Sequence, residues 1–126
     1  MKKKTIDIKS SERMFFRHYI KLLSSFKPLS GIRNQELMVL AELMYSNHVI
    51  SKGFKDREDP NKWKLIFSYE NKRAIEEILQ ISDATMANCL TNLRKMKLIQ
   101  DNTLQKIFRV YPEKDFEIVF RFSNEG

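Results

Sequence analysis

Residues able to carry covalent or metal chemistry are few and scattered along the chain. His18 and His48 stand far apart with no Cys or carboxylate at ligand spacing, so no zinc site is expected. The glycines are isolated at Gly31, Gly53 and Gly126, which leaves no glycine-rich loop to cradle a phosphate. Glu76-Glu77 and Asp56/Glu58/Asp59 are acidic clusters in polar stretches, and nothing beside them suggests a paired acid and base. Cys89, the single cysteine, has no adjacent histidine and sits where a small buried side chain is needed. It leaves no internal disulfide and fits a reducing cytoplasm. No enzyme, metal, cofactor or small-molecule substrate is expected. What remains is recognition chemistry. Asn88, Thr91 and Asn92 lie within five residues, followed by Arg94, Lys95 and Lys97 and then by Lys106 and Arg109. An Asn amide can pair with both edge atoms of adenine, a Thr methyl can meet a thymine methyl, and cations can neutralise phosphates.

The segment that must position these groups runs from Ala74 to Ile99, AIEEILQISDATMANCLTNLRKMKLI. Ile75, Ile78 and Leu79 fall on one face of a first predicted helix, Tyr69 to Leu79, capped by Ser68. Met86, Leu90 and Leu93, with Cys89 beside them, fall on one face of a second, capped by Ser82. Gln80-Ile81-Ser82 between them is short enough to force a helix, a turn and a helix. With that face inward, Ala84, Ala87, Asn88, Thr91, Asn92 and Lys95 point outward. The pattern of an Ile and a Thr ahead of Leu90, Leu93 and Leu98-Ile99 resembles the helix-turn-helix of bacterial, phage and plasmid winged-helix DNA-binding proteins. The ending in Tyr111-Pro112 is loosely similar to plasmid replication winged helices. The resemblance implies an α+β fold, a three-helix core plus a wing hairpin, with an extra N-terminal helix and a C-terminal strand. It also implies that Asn88, Thr91 and Asn92 read bases while Arg94, Lys95, Lys97, Lys106 and Arg109 hold the backbone. Two positions depart from the pattern: Gln80 stands where the turn usually has Gly, and Asp83 occupies a first-turn position that is often basic or neutral.

The flanking elements divide the chain into residues 1–30, 31–112 and 113–126 of one compact domain. Lys2, Lys3 and Lys4 open a basic arm or a frayed tail. Ser11 caps an amphipathic helix reaching about Phe26, with Phe15, Phe16, Tyr19, Ile20, Leu22, Leu23 and Phe26 on a wide apolar face. Arg13, Arg17 and Lys21 form a basic stripe opposite, a solvated face or a set of phosphate contacts. A helix from Asn34 to about Ser46, a charged loop over 51–61 and a short strand around Trp63, Leu65 and Phe67 follow. After Asp101-Asn102, Leu104 to Tyr111 is predicted to return as the second wing strand. Phe116, Ile118, Phe120 and Phe122 share one face of a last strand, which either packs on the domain or binds a partner or a second copy.

Charge bears on the partner. The net charge is +7, and residues 1–30 carry eight Lys/Arg against two Asp/Glu, so nearly all of the excess precedes Gly31. The predicted helix-turn-helix is close to neutral. No apolar run approaches a membrane span, and the N-terminus lacks the pattern of a secretory signal. Two function classes follow. One is a DNA-binding protein of transcription regulation or replication initiation, acting on double-stranded DNA in a bacterial host cytoplasm. The other is a phage virion or head–tail assembly protein that uses the same fold for protein contacts.

Overall fold

Ser11, Ser68 and Ser82 fix where three helices begin. Their hydroxyls accept hydrogen bonds from the backbone N–H of Met14 at 3.2 Å, Asn71 at 3.2 Å and Thr85 at 3.1 Å. The chain is described from a computed structural model over residues 10–26, 29–112, 119 and 121. The elements are α1 (Glu12–Leu23), α2 (Asn34–Ser51), α3 (Lys62–Ile66), α4 (Tyr69–Leu79), α5 (Asp83–Lys95), β1 (Ile99–Gln100), β2 (Thr103–Leu104) and a 3-10 turn η1 (Lys106–Phe108). The fold is mostly helical with one small antiparallel hairpin, an α+β arrangement. Among the described residues no helix is long and apolar enough to cross a membrane.

α2 is the central element, and its sequence explains why. Leu37, Val39, Leu40, Ala41, Leu43 and Met44 are all buried, so the helix is apolar nearly all round. It packs against α1, α3, α4 and α5. The N–H of Arg33 donates to the Glu36 carboxylate at 3.0 Å and fixes its start. The sequence predicts an end near Ser46, but the helix continues to Ser51. Asn47, His48 and Ser51 are buried on that extension, and no breaking residue occurs before Gly53. α1 stops three residues earlier than predicted, at Leu23, and Leu22 and Phe26 are exposed where an inward face was expected.

Two predicted strands take other forms. The segment around Trp63 is helical, because Trp63, Ile66 and Phe67 bury at i, i+3 and i+4 while Leu65 is 51% exposed. The same side chains fit an alternation on paper, but among the described residues the only strands are β1 and β2, which pair with each other. The hairpin is also shorter than predicted. Asp101 and Asn102 both have positive φ (51° and 52°), which closes a tight two-residue turn, and Ile99 pairs with Leu104 and Gln100 with Thr103. The chain then turns through η1, so that Leu104 and Phe108 bury four residues apart instead of alternating. Tyr19 Oη donates to the Ile107 carbonyl at 3.1 Å and ties α1 to this turn.

Candidate nucleic-acid interface

The turn between α4 and α5 is closed by the residue that stands in the place of glycine. Gln80 is left-handed (φ 55°), and the Ile81 N–H reaches back to the Glu76 carbonyl at 3.0 Å. Its side-chain amide donates to the Glu77 carbonyl at 2.6 Å, which partly offsets the strain of that backbone. α5 then sets its two faces as its periodicity predicts. Met86, Cys89, Leu90 and Leu93 are buried, while Ala84, Ala87, Asn88, Thr91 and Lys95 are exposed and Asn92 flanks them half-buried. At its C-terminus Lys97 takes a left-handed conformation (φ 62°), and the Leu98 N–H bonds the Leu93 carbonyl at 3.0 Å. On α4, Ile78 departs from its predicted inward face and is 44% exposed.

Cations near α5 fall into two groups. Lys95, Lys97 and Lys106 are exposed and form no ion pair among the described residues. Arg94 leans on the Asn102 side chain at 3.4 Å. Arg109 turns back instead: its Nε donates to the Leu104 carbonyl at 2.9 Å and its Nη1 to Glu58 at 3.1 Å. Lys106 sits on η1, not on a wing strand as the sequence predicts. The basic stripe of α1 is likewise divided. Arg13 and Arg17 both engage the buried Glu42 of α2, Arg17 at 3.4 Å, and the Arg13 guanidinium lies 4.2 Å from the Tyr45 ring centroid. Only Lys21 of that stripe projects into solvent. Lys2, Lys3, Lys4, Phe116, Ile118, Phe120 and Phe122 lie outside the described residues.

Beside the α5 N-terminus is an open groove of about 440 Å3 lined by Arg73, Glu76, Glu77, Gln80, Ile81, Ser82 and Asp83. Arg73 lies 3.6 Å from Asp83. A hydrogen bond with Asp83 raises the Glu76 carboxyl above its ordinary range, reinforced by desolvation and by the Asp83 charge. This edge is therefore acidic. Burial, with the Glu36 charge, pushes the Cys89 thiol up and makes it a poor nucleophile. Among the described residues no cluster of His, Cys, Asp and Glu is placed to hold a metal ion.

The structure also contains a polar cluster that the sequence does not announce. Lys62 is fully buried, and its ammonium donates to Tyr111 Oη at 2.9 Å, to Ser51 Oγ at 3.2 Å and to the Arg57 carbonyl. Tyr111 Oη donates in turn to Glu58 at 2.8 Å, and Asn47 donates to Tyr111 at 3.3 Å. A Ser hydroxyl beside a Lys amine can be a nucleophile and its base, but here both are buried and the groove beside α5 does not reach them. The cluster clamps the 52–61 loop to α2 and to the segment after η1. A second internal contact joins α1 to α2, where Glu12 meets His48 Nε2 at 2.7 Å and Lys52 Nζ at 3.0 Å. The signals for these contacts are weak in sequence: Glu58 and Lys62 are four apart, and the other partners are distant. No protein-family model, curated protein or solved structure matches the chain.

Proposed function

We propose that this chain is a non-enzymatic double-stranded DNA-binding protein of winged-helix type, acting in transcription regulation or replication initiation. The observation that carries the reading is the exposed row on α5. Ala84, Ala87, Asn88, Thr91 and Lys95 form a low, polar ridge opposite a fully apolar face. Lys97 follows two residues on, and Lys106 stands next to Gln105, whose amide bonds the Lys97 carbonyl, both lysines outside any ion pair among the described residues. Small side chains let a helix approach base edges closely, and the amide and hydroxyl can hydrogen-bond them. In this reading α5 enters the major groove, and Lys95, Lys97 and Lys106 contact phosphates. The short hairpin and η1 take the place of the wing, and α3 takes the place of the first strand. Binding to a random-sequence duplex, followed by fluorescence anisotropy at increasing salt, tests the reading. Affinity that falls steeply with salt, and that drops when Lys95, Lys97 and Lys106 are changed together to Ala, supports it. No binding near physiological salt overturns it.

A second reading rests on a different observation. Met14 and Leu22 on α1, Phe26 in the turn after it and Ile107 on η1 are exposed apolar side chains, while Arg13 and Arg17 are engaged by Glu42. Exposed apolar side chains of this kind suit a protein contact such as a virion or head–tail component makes. Here the expected result is a defined oligomer in light scattering that Leu22→Asp, or Phe120→Asp with Phe122→Asp, disrupts. A monomer at high concentration, unchanged by those substitutions, counts against self-assembly.

A further inference from the structure

The row on α5 carries a base composition as well as a binding surface. Guanine is read in the major groove chiefly by Arg or Lys, and cytosine by Asp or Glu that accept from its amino group. Neither type stands on the exposed row over the first three turns of α5. The first cation on the row is Lys95, eleven residues beyond Ala84, about 16 Å along the axis at ~1.5 Å per residue. Arg94 is directed to Asn102. Asp83, the only acid on the helix, is its first residue, off the row, and lies 3.6 Å from Arg73. The groups left for the bases are one exposed amide (Asn88), one exposed hydroxyl with a methyl (Thr91), two exposed methyls (Ala84, Ala87) and the half-buried Asn92. These match the A·T pair: an amide for adenine N6 and N7, and methyls for the thymine C5-methyl.

We infer that the preferred ligand is A·T-rich duplex, read through the major groove by Asn88 on adenine and by Ala84, Ala87 and Thr91 on thymine methyls. This inference rests on the DNA-binding reading above. Phosphate contacts from Lys95, Lys97 and Lys106 carry affinity common to all sequences, and the discrimination comes from the uncharged row.

The test uses the full chain and three duplexes of equal length at one salt concentration: A·T-rich, G·C-rich, and A·T-rich with every thymine replaced by deoxyuridine. Deoxyuridine removes only the major-groove methyl and leaves the minor-groove acceptors in place. The A·T duplex is expected to bind at least about fivefold more tightly than the G·C duplex, the discrimination of a single good bidentate pair. The deoxyuridine duplex is expected to lose a large part of that advantage. Asn88→Ala should erase most of it as well, with circular dichroism confirming that the variant is folded. Equal affinity for A·T and G·C duplexes overturns the inference while leaving the DNA-binding reading intact. An A·T preference unchanged by deoxyuridine and by Asn88→Ala also overturns it, because it then comes from the minor groove. No binding to any of the three overturns both.

Discussion

Replacing Lys62 with Met removes a buried ammonium while keeping most of the side-chain volume. The cost can be worked from its partners. Removing one member of a buried ion pair typically costs about 3–5 kcal/mol, because the other charge is stranded. Here Glu58 is not stranded: it is nearly half exposed and keeps Arg109 at 3.1 Å and the Tyr111 hydroxyl at 2.8 Å. Ser51 Oγ still lies 3.3 Å from Asn47 Oδ1, so its hydroxyl keeps an acceptor. The Arg57 carbonyl and Tyr111 Oη lose a donor, each at about 1 kcal/mol or somewhat more. The expected loss for Lys62→Met is therefore about 2–3 kcal/mol, which in urea unfolding moves the midpoint down by roughly 1 M or more at a slope of ~1–3 kcal/mol/M. Tyr111→Phe should cost about 1 kcal/mol alone, and the double variant should fall short of additivity by at least ~0.5 kcal/mol, because both act on one network. A loss below about 0.5 kcal/mol for Lys62→Met, or strict additivity in the cycle, would refute the argument that this lysine clamps the loop.

Two further outcomes follow from local geometry. Hydrogen bonding from Lys52, opposed by some burial and helped by the His48 and Lys52 charges, holds the Glu12 carboxyl below its ordinary range. Its folded value thus lies below its unfolded one, so its contribution is present above the ordinary carboxylate range and lost as pH falls through the lowered value. Glu12→Gln should flatten the acid limb of stability measured by urea unfolding between about pH 5 and 3, and an unchanged limb would contradict the assignment. At the turn, Gln80→Gly relieves a left-handed non-glycine backbone worth about 1 kcal/mol and gives up one exposed amide bond to Glu77. A gain of roughly 0.5 kcal/mol in thermal or urea unfolding is expected, and a loss would show that the side-chain bond outweighs the strain.

The parts of the fold legible in the sequence are those decided within a few residues. Serine caps at 11, 68 and 82 and the inward face of α5 need only local hydrogen bonds and one helical period. The parts that were not legible depend on a distant partner. Trp63, Ile66 and Phe67 satisfy a helical spacing, and Trp63, Leu65 and Phe67 an alternating one; the burial of the first three, with α3 packed against α2 and Leu65 left outside, decides for the helix. The hairpin was predicted to run to Tyr111, but burying Phe108 bends it after Leu104. The row on α5 was readable except at Asn92, expected outward and found half-buried, whereas the fate of the arginines was not. A stripe at Arg13, Arg17 and Lys21 looks the same in sequence whether it faces water or a buried Glu42 twenty-five residues beyond Arg17.

That division of the cations turns the net charge into a number that can be measured. If every basic residue assigned to the backbone reached a duplex, Arg13, Arg17 and Arg109 would have to leave carboxylates they already hold. Two of them would strand Glu42, which is buried, so binding would have to supply that cost as well. Lys95, Lys97 and Lys106 are released by nothing and face water at one end of α5. With about −0.9 in log affinity per log salt for each phosphate neutralised, these three alone give a slope near −2.7. Adding Lys2, Lys3 and Lys4 would roughly double it. Removing residues 1–4 and repeating the salt titration therefore counts the contacts directly. A slope near −2.7 in both proteins places the backbone contacts at the α5 terminus and η1. A slope that halves on truncation assigns the other half to the arm, and a slope well beyond about −7, more than these six lysines with Lys21 and Arg94 can supply at ~0.9 each, would mean that the arginines do exchange their carboxylates for phosphates.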